Sequence, residues 1–320
     1  MKGITKVIGA YLVAMVLALS LFPIILSGCS SPSSPGEEGG SDGTIGHFKW
    51  EVVSTEVGES LTGIAYGDGE FVAVGERGVI LTSSDAHTWN VRSSGTVTRL
   101  RDVAYGDGTF VTVGGWGTVL YSKDEGRHWK VSPSKVGFLP TGVVYGKGTF
   151  VLLHNYGEVF LSDDGVTWNP ISNRLKKGLW YDITYANGLF VAVGGGGAIN
   201  ISHDGIHWKS VDSGVKADLN DVAYGDGKFV AVGYVGVILT SRDGENWELQ
   251  TSGVTTPLFG VAYGDGLYTA VGFSDTTLIS NDAVNWELVK SGARISIDSV
   301  AYGDGKFVAV GWSGTVLVTP

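Results

Sequence analysis

One unit of 39 or 40 residues recurs seven times over residues 61–320. Each copy carries a tyrosine followed by a glycine-rich turn, and these tyrosines are Tyr66, Tyr105, Tyr145, Tyr185, Tyr224, Tyr263 and Tyr302. A repeat of this length is typical of a supersecondary unit that buries its apolar faces only by stacking on its neighbours. The repeat therefore predicts one domain made of seven copies, not several independent domains.

The pattern inside one copy predicts four short strands. In the fifth copy, apolar and β-branched segments at 219–224, 228–232, 237–241 and 247–251 alternate with glycine-containing turns. Turns such as Gly225-Asp226-Gly227 favour tight reversals between antiparallel strands. No segment keeps an apolar period of 3.6 residues, so little helix is expected. Four antiparallel strands with two apolar faces are typical of a propeller blade packed between two others.

The two ends of the repeat array fit together. The seventh copy stops at Thr319-Pro320 before its fourth strand, and residues 48–53 have the pattern of that missing strand. Trp50 stands where the other copies carry a tryptophan near the fourth strand. Pairing these segments would close the ring and protect the sheet edges that an open array exposes. We therefore predict an all-β fold over 47–320: a seven-bladed β-propeller with four antiparallel strands per blade, closed by the N-terminal strand.

A second motif in six copies carries a resemblance to a known family. The pattern Ser-x-Asp-(x)-Gly-x-x-Trp, with Ala86 and Ala283 in place of glycine in two copies, resembles the Asp-box of bacterial neuraminidase-type (BNR) repeats. It ends at Trp89, Trp129, Trp168, Trp208, Trp247 and Trp286. The whole repeat is similar to the seven-bladed propellers that assist photosystem II assembly. This resemblance implies a propeller in which the aspartates shape hairpins, and it adds assembly of a membrane complex as an alternative function.

The N-terminal segment has the pattern of an export signal. Lys2 and Lys6 precede an apolar run at 7–25, and Leu26-Ser27-Gly28-Cys29 follows it. We predict a lipoprotein signal peptide and lipobox at 1–29, with a lipid attached to Cys29, the single cysteine. An uncleaved transmembrane anchor is the alternative. Residues 30–46 are rich in Ser, Pro and Gly and predict a flexible tether. Both alternatives place the domain in the cell envelope, on the outer side of a membrane.

Charge and residue spacing argue against several function classes. The formal net charge is −10, which disfavours binding to nucleic acid. His203 and His207 flank a turn without further ligands in view, so no metal site is predicted, and no cofactor motif is found. Three copies place Asp102, Asp182 and Asp221 at one strand position near the channel. They would either surround a cation or bind backbone amides, and four copies without a carboxylate favour the second interpretation.

A sialidase-like glycoside hydrolase is the enzymatic alternative. It would need an arginine cluster and a pair of carboxylates. The candidates on loops are Arg77, Arg99, Arg101, Arg174, Arg294, Glu76 and Glu158. They are spread over different copies, and no copy has a long insertion that would build a catalytic loop. We therefore predict a protein that is not an enzyme.

Variation between the copies distinguishes the two ends of the ring. The first and third turns of each blade hardly change, and they define the constant end. The second turns and the links between blades differ strongly, and they define the variable end, where Phe138, Lys176, Lys177 and Phe259 also fall. We predict that the variable end of a monomer binds a protein or an extracellular glycan. The candidate binding residues are Trp116, Tyr156, Trp180, Tyr181, Tyr234, Phe273 and Trp312.

Overall fold

The computed structural model describes residues 48–175 and 178–320. Seven four-stranded antiparallel sheets form a closed ring, because the first strand of each blade contacts the first strands of both neighbours. The predicted fold class is confirmed. The predicted signal peptide, Cys29 and the tether lie outside the described residues, as do Lys176 and Lys177. Among the residues described, no helix is long and apolar enough to cross a membrane.

The two inner strands of each blade are the longest. The first strands line the channel and are β2 Leu61–Gly67, β6 Leu100–Gly106, β10 Pro140–Gly146, β14 Trp180–Ala186, β18 Leu219–Gly225, β22 Leu258–Gly264 and β26 Ile297–Gly303. The second strands are β3 Glu70–Gly75, β7 Thr109–Gly114, β11 Thr149–His154, β15 Leu189–Gly194, β19 Lys228–Gly233, β23 Leu267–Gly272 and β27 Lys306–Gly311. Nearly every residue of a second strand is buried, because both faces of its sheet are covered by neighbouring blades.

The two outer strands are shorter. The third strands are β4 Ile80–Ser83, β8 Thr118–Ser122, β12 Val159–Ser162, β16 Ala198–Ser202, β20 Ile238–Ser241, β24 Thr277–Ser280 and β28 Val316–Val318. The fourth strands are β5 Asn90–Arg92, β9 Lys130–Val131, β13 Asn169–Pro170, β17 Lys209–Asp212, β21 Glu248–Gln250, β25 Glu287–Val289 and β1 Glu51–Val53. Short outer strands leave little exposed edge for pairing with another chain.

The N-terminal strand completes the last blade, as the sequence predicts. Strand β1 pairs antiparallel with β28, with Val52 opposite Leu317. The side chain of Trp50 is buried, and its ring contacts Phe48 edge to face. The chain therefore enters the ring next to the strand with which it ends, which holds the first and last blades together.

Each first turn has the geometry that an Asp-Gly pair favours. In the fifth blade Asp226 and Gly227 have φ values of 41° and 74°. Two successive positive φ values define a type I′ turn, whose twist matches that of the flanking strands. The second turns differ. Five of them form a single 3-10 turn, at Glu76–Gly78, Gly115–Gly117, Gly195–Gly197, Tyr234–Gly236 and Trp312–Gly314. The two kinds of turn lie at opposite ends of the ring because the strands alternate in direction.

Candidate binding site at the channel mouth

A β-bulge recurs at the start of every first strand. In the fifth blade Leu219 pairs with Gly233 and Asp221 pairs with Val232, so Asn220 has no partner on the second strand. The other six blades show the same shift in register. A bulge leaves one residue out of the ladder and redirects its side chain. All seven bulged residues therefore fall at one level, at the variable end of the channel.

The bulged residues form what we call the mouth ring. Its members are Thr62, Arg101, Thr141, Tyr181, Asn220, Phe259 and Asp298. Together with five residues of the surrounding turns and links, they enclose a cavity of about 470 Å³. Those five residues are Arg99, Asn155, Asp218, Tyr234 and Trp312. A concave site with aromatic walls and a few converging polar groups is the usual form of a ligand pocket. The seven copies contribute six residue types to this ring, with threonine in two of them, although the strands that carry the ring are similar.

Several mouth-ring side chains are already engaged. Thr62 Oγ1 donates to the Leu100 carbonyl at 2.7 Å, and Asn220 Nδ2 donates to the Leu258 carbonyl at 2.7 Å. Each of these bonds joins one blade to the next. The Tyr181 hydroxyl donates to Asp218 Oδ2 at 3.2 Å. The ring therefore contributes to the packing of the blades as well as to the surface of the cavity.

Arg101 is the exception among the polar members. Its Nε is buried without a hydrogen-bond partner, and its guanidinium forms no ion pair within the described part of the chain. Burial lowers the pKa of Arg101, and the nearby Arg99 adds to this effect. Arg99 is itself paired with Glu76, with 3.2 Å between Nε and Oε1. An unpaired guanidinium in a partly buried cavity is costly on its own and has five donors to offer to an anionic or carbonyl ligand.

Asp298 supplies a titratable carboxyl on the same ring. Burial raises the pKa of Asp298 to about 6, against the lowering effects of Arg99 and of a hydrogen bond from the Trp312 side chain. The carboxyl therefore changes its charge near neutral pH. The mouth of the channel contains one unpaired cation and one carboxyl whose charge depends on pH.

A second ring lies one residue deeper in the channel. It bounds a cavity of about 300 Å³ together with the mouth ring, and it carries the three carboxylates noted in the sequence. Asp102 accepts the amides of Val103 and Val143, both at 2.7 Å, and Asp221 accepts those of Val222 and Val261, again at 2.7 Å. Each pair of bonds spans two neighbouring blades. These contacts support the interpretation that the carboxylates bind backbone amides.

Burial also disfavours the ionised form of the deep carboxyls. Burial raises the pKa of Asp102 to about 8, and the Asp182 carboxylate adds to it. Burial likewise raises the pKa values of Asp182 and Asp221, which share a hydrogen bond. Such a bond between two carboxyls requires a proton on one of them. Within the described residues, no set of three or more His, Cys, Asp or Glu is placed to hold a metal ion.

The structure brings three of the seven candidate aromatics to the mouth. Tyr181 belongs to the mouth ring, and Tyr234 and Trp312 border the cavity with exposed fractions of 47% and 45%. Phe259, which the sequence placed at the variable end but not among the seven candidates, is a member of the ring. Phe273 is partly buried in the second turn of the sixth blade and lies outside the residues that line the cavity.

Trp180 corrects one expectation. The sequence predicts an exposed ring in the link before the fourth blade, but Trp180 is the first residue of β14 and its side chain is 0% exposed. It packs with Val151, Leu175 and Phe190 between the third and fourth blades. The same strand position holds leucine, isoleucine or proline in the other copies, so alignment of the repeats would have indicated the core. Trp180 is a packing residue and is removed from the candidate site.

A second aromatic group lies farther out at the variable end. Trp116 is 80% exposed at the tip of its turn, and Phe138 is 68% exposed in the next link. Their rings meet edge to face, with centroids 6.0 Å apart. Trp116 has a φ of 58°, a conformation that a bulky residue adopts at a cost. Tyr156, in the turn of the third blade, is 59% exposed. The variable end thus offers an aromatic cavity and a separate aromatic pair.

The residues considered for a hydrolase are not gathered into one site. Glu76 is paired with Arg99, and Glu158 with Arg174 at 2.9 Å. The two glutamates lie in the second turns of the first and third blades, and each arginine lies in the link that follows its blade. Arg77 lies 3.9 Å from Glu59. Neither glutamate is among the residues that line the mouth cavity, where the carboxyls are those of Asp218 and Asp298.

The constant end carries a different kind of chemistry. In the hairpin of the sixth blade, Asp282 Oδ1 accepts the amides of Val284 and Asn285 at 2.8 Å, and the Trp286 indole donates to the Ala283 carbonyl at 3.1 Å. Burial opposes ionisation, but the two amides, together with hydrogen bonds from the side chains of Asn285 and Ser280, outweigh it and lower the pKa of Asp282 to about 2. Five hairpins repeat this arrangement of aspartate and backbone amides, at Asp85, Asp164, Asp204, Asp243 and Asp282. The hairpin aspartates are thus occupied in shaping their own turns.

Fold and site together define a seven-bladed β-propeller with a polar and aromatic channel mouth. No protein-family model matches the sequence, and no curated protein sequence matches it either. Solved structures do match the fold. A structure of YCF48 from Cyanidioschyzon merolae is similar with a TM-score of 0.69 at 14% identity, over 85% of this chain and 98% of that one. A structure of YCF48 bound to D1 peptide has a TM-score of 0.73 at 16% identity, over 86% and 96% of the two chains.

An enzyme shares the same fold. Virginiamycin B lyase from Staphylococcus aureus is similar with a TM-score of 0.75 at 11% identity, over 86% of this chain and 100% of that one. At such identities the similarity establishes the propeller fold only, and the function must be inferred from the site. The structural neighbours include both a peptide-binding propeller and a lyase.

Proposed function

We propose that this chain is a protein-binding module that holds a polypeptide segment of its partner at the mouth of its channel. The observation that carries the proposal is the mouth ring, in which seven similar strands present six residue types around one cavity. A ring that only closed the channel would not need a tyrosine, a phenylalanine and an unpaired arginine. YCF48 bound to D1 peptide supports the proposal as a propeller of similar fold that binds a peptide.

The chemistry of the mouth indicates how a segment would bind. Tyr234 and Trp312 offer exposed aromatic faces at the rim, and such residues supply most of the affinity at protein interfaces. Arg101 would pair with an acidic group or a carbonyl of the partner, because none of the described residues forms an ion pair with it. The Trp116–Phe138 pair would add a second contact at the periphery of the same end.

The location of the protein is part of the proposal. We infer that Cys29 carries a lipid that holds a monomeric propeller on the outer side of a membrane. The described chain begins at Phe48, and β1 starts at the constant end, so the anchor would connect to the end opposite the mouth. A partner in the aqueous space would then meet the variable end. Loss of membrane association in the Cys29→Ala variant would support the anchor, and retention equal to that of the parent would refute it.

The test is capture of partners by the full-length chain, purified in detergent, from envelope extract of the source cells. Three variants accompany the parent: Trp312→Ala and Arg101→Gln at the mouth, and Ile206→Ala at an exposed position of the constant end. A polypeptide retained by the parent and by Ile206→Ala but lost by both mouth variants supports the proposal. A ligand bound equally by all four proteins refutes the site. Retention of glycans without any polypeptide refutes the partner class.

A further inference from the structure

The residue that precedes the second turn is different in the third blade from that in the other six blades. Six second strands end in glycine, and at Gly75 a Cβ would lie 2.1 Å from the Ser60 carbonyl oxygen. The third blade has His154 at this position. Its side chain is only 6% exposed. The backbone hydrogen bonds of the turn are retained, since Asn155 N donates to the Leu139 carbonyl as Glu76 N donates to that of Ser60. A buried imidazole has thus been added to a turn that folds without one.

Both ring nitrogens of His154 are in use. Nε2 accepts the Leu139 amide at 2.9 Å. Nδ1 is approached by the Tyr156 amide at 3.3 Å and lies 3.1 Å from Glu158 Oε2, an oxygen that is buried without a hydrogen-bond partner. A neutral imidazole has one donor and one acceptor. Because Nε2 accepts the shorter amide contact, the proton belongs on Nδ1, on the side of Glu158, and the longer contact with the Tyr156 amide is then not a hydrogen bond. Glu158 in turn accepts from Arg174 at 2.9 Å.

This network joins the two links that border the third blade at the variable end. Leu139 follows Phe138 in the link from the second blade, and Arg174 belongs to the link toward the fourth. The His154 ring also fits closely against Gly137, where a Cβ would lie 3.2 Å from Nε2. The position of Phe138, and therefore its edge-to-face contact with Trp116, depends on a backbone segment that His154 holds through the Leu139 amide.

We propose that His154 is a pH-sensitive clasp that regulates the Trp116–Phe138 pair, a regulation that rests on the proposed binding function of the variable end. A second proton on the imidazole goes to Nε2, which then points an N–H at the Leu139 N–H. The hydrogen bond of the Leu139 amide is lost and the 133–139 link is loosened, while the bond from Asn155 N to the Leu139 carbonyl remains. Protonated His154 stays at Glu158, with which it now forms an ion pair.

The charges around the imidazole determine where this transition falls. Burial lowers the pKa of His154, the Glu158 carboxylate raises it, and the Arg174 guanidinium lowers it again. These are the charged groups that face the ring among the described residues, from its own turn and from the link that follows. Lys135 is the nearest charge on the preceding link and is exposed. The clasp is therefore closed at neutral pH and opens on the acidic side of the usual histidine range.

Hydrogen exchange of the full-length chain without any partner tests the clasp. Exchange of 133–139, corrected for intrinsic rates, is compared at pH 7.5 and pH 5.0 with that of 251–257, the corresponding link before the sixth blade. Two variants bracket the parent. His154→Gly restores the residue that six blades have, and His154→Gln keeps an acceptor for Leu139 that does not titrate.

Loss of one neutral hydrogen bond corresponds to a factor of about 5 to 10 in opening. The parent is therefore expected to exchange about 5–10-fold faster in 133–139 at pH 5.0 than at pH 7.5, with 251–257 unchanged. His154→Gln should exchange slowly at both pH values, and His154→Gly fast at both. Equal exchange of the parent at the two pH values, or the same pH response in His154→Gln, would overturn the proposal. Because no partner is present, the outcome is independent of whether the mouth binds a polypeptide.

Discussion

The two ends of this ring are built from the same strands and differ in what their turns do. At the constant end, type I′ turns and aspartate-capped hairpins satisfy their own backbone groups, as Asp282 does in the sixth blade. At the variable end, the bulges direct one residue per blade into the channel mouth, and the second turns expose Trp116, Tyr156, Tyr234 and Trp312. Residues that recur in every copy therefore stabilise the fold, while residues that differ between copies indicate where a ligand would bind.

Trp180 is an exception to this difference between the two ends, and its substitution should have the largest effect on stability. Trp180 varies between copies and yet is fully buried, so variation alone does not mark the surface. Trp180→Ala should lower the free energy of unfolding by about 3–5 kcal/mol, because it removes a large buried side chain. Denaturant unfolding measures it, with Tyr156→Ala as the exposed control. A loss below about 1 kcal/mol would contradict the burial of this ring.

Much of the fold could be predicted because its signals are local and repeated seven times. The Asp-Gly turns predicted the hairpins, and the missing fourth strand of the last copy predicted the pairing of β1 with β28. The mouth ring could not be predicted in the same way. A bulge is a property of the hydrogen-bond register between two strands, and Thr62, Asn220 and Asp298 show no common residue type that would reveal it.

The aromatic side chains were predicted with mixed success for a related reason. Periodicity of two tells which strand residues share a face, but it does not tell where a link ends and a strand begins. Trp180 and Tyr181 are the first two residues of β14. Trp180 points into the core, whereas the bulge directs Tyr181 into the channel mouth. Alignment of Trp180 with Leu61, Leu100 and Leu219 carried the missing information.

The constant end should respond to loss of a hairpin aspartate through stability alone. Asp282→Ala removes an acceptor of two backbone amides and should lower the free energy of unfolding by about 1–2 kcal/mol at pH 7. The pKa of Asp282 is lowered to about 2, so its contribution is present above the unfolded value of about 3.9 and is lost as pH falls through about 2.

Unfolding of Asp282→Ala and the parent at pH 7 and near pH 2 measures this. Asp163→Ala is the matched control, because Asp163 occupies an exposed position of another hairpin and accepts no hydrogen bond within the described chain. The difference between Asp282→Ala and the parent should shrink at the lower pH. A difference that persists there would assign the loss to packing rather than to the carboxylate.

Asp298 should show the opposite dependence on pH at the variable end. Its pKa in the folded chain is raised to about 6, so the stability it contributes is present below about pH 4 and is lost as pH rises through about 6. Asp298→Asn keeps an acceptor for Trp312 and removes the charge. After allowance for solvent screening, the variant should be more stable than the parent by about 1 kcal/mol at pH 8 and equal to it at pH 4.

Thermal unfolding across pH 4 to 8 checks this prediction. Arg99 provides the internal control, because Arg99→Gln removes a charge that lowers the pKa of Asp298 and should move the transition to higher pH. If Asp298→Asn were the less stable protein at pH 8, the ionised carboxyl would be a favourable partner of Arg99, and the mouth would be a preformed ion pair.

The smallest effect on stability should come with a clear effect on binding. Trp116 occupies a φ of 58°, and the equivalent residue of the fourth blade is Gly196, with a φ of 68°. Trp116→Gly removes the steric cost of a left-handed conformation, which is about 1–2 kcal/mol for a bulky residue. Part of this gain in stability is offset because glycine loses more backbone entropy on folding. The free energy of unfolding should therefore stay within about 1 kcal/mol of the parent, on the stable side.

Trp116 lowers the stability of the fold, so its presence needs another explanation. Its exposed position at the variable end indicates that it serves binding. Capture of the polypeptide partner by Trp116→Gly should be weaker than by the parent, and Val97→Gly, at an exposed apolar position of a neighbouring link, should behave like the parent. A variant that is more stable but binds the partner more weakly would show that this residue of the variable end serves binding rather than stability. Undiminished capture by Trp116→Gly would confine the binding surface to the mouth cavity and leave the strained tryptophan without a function at the variable end.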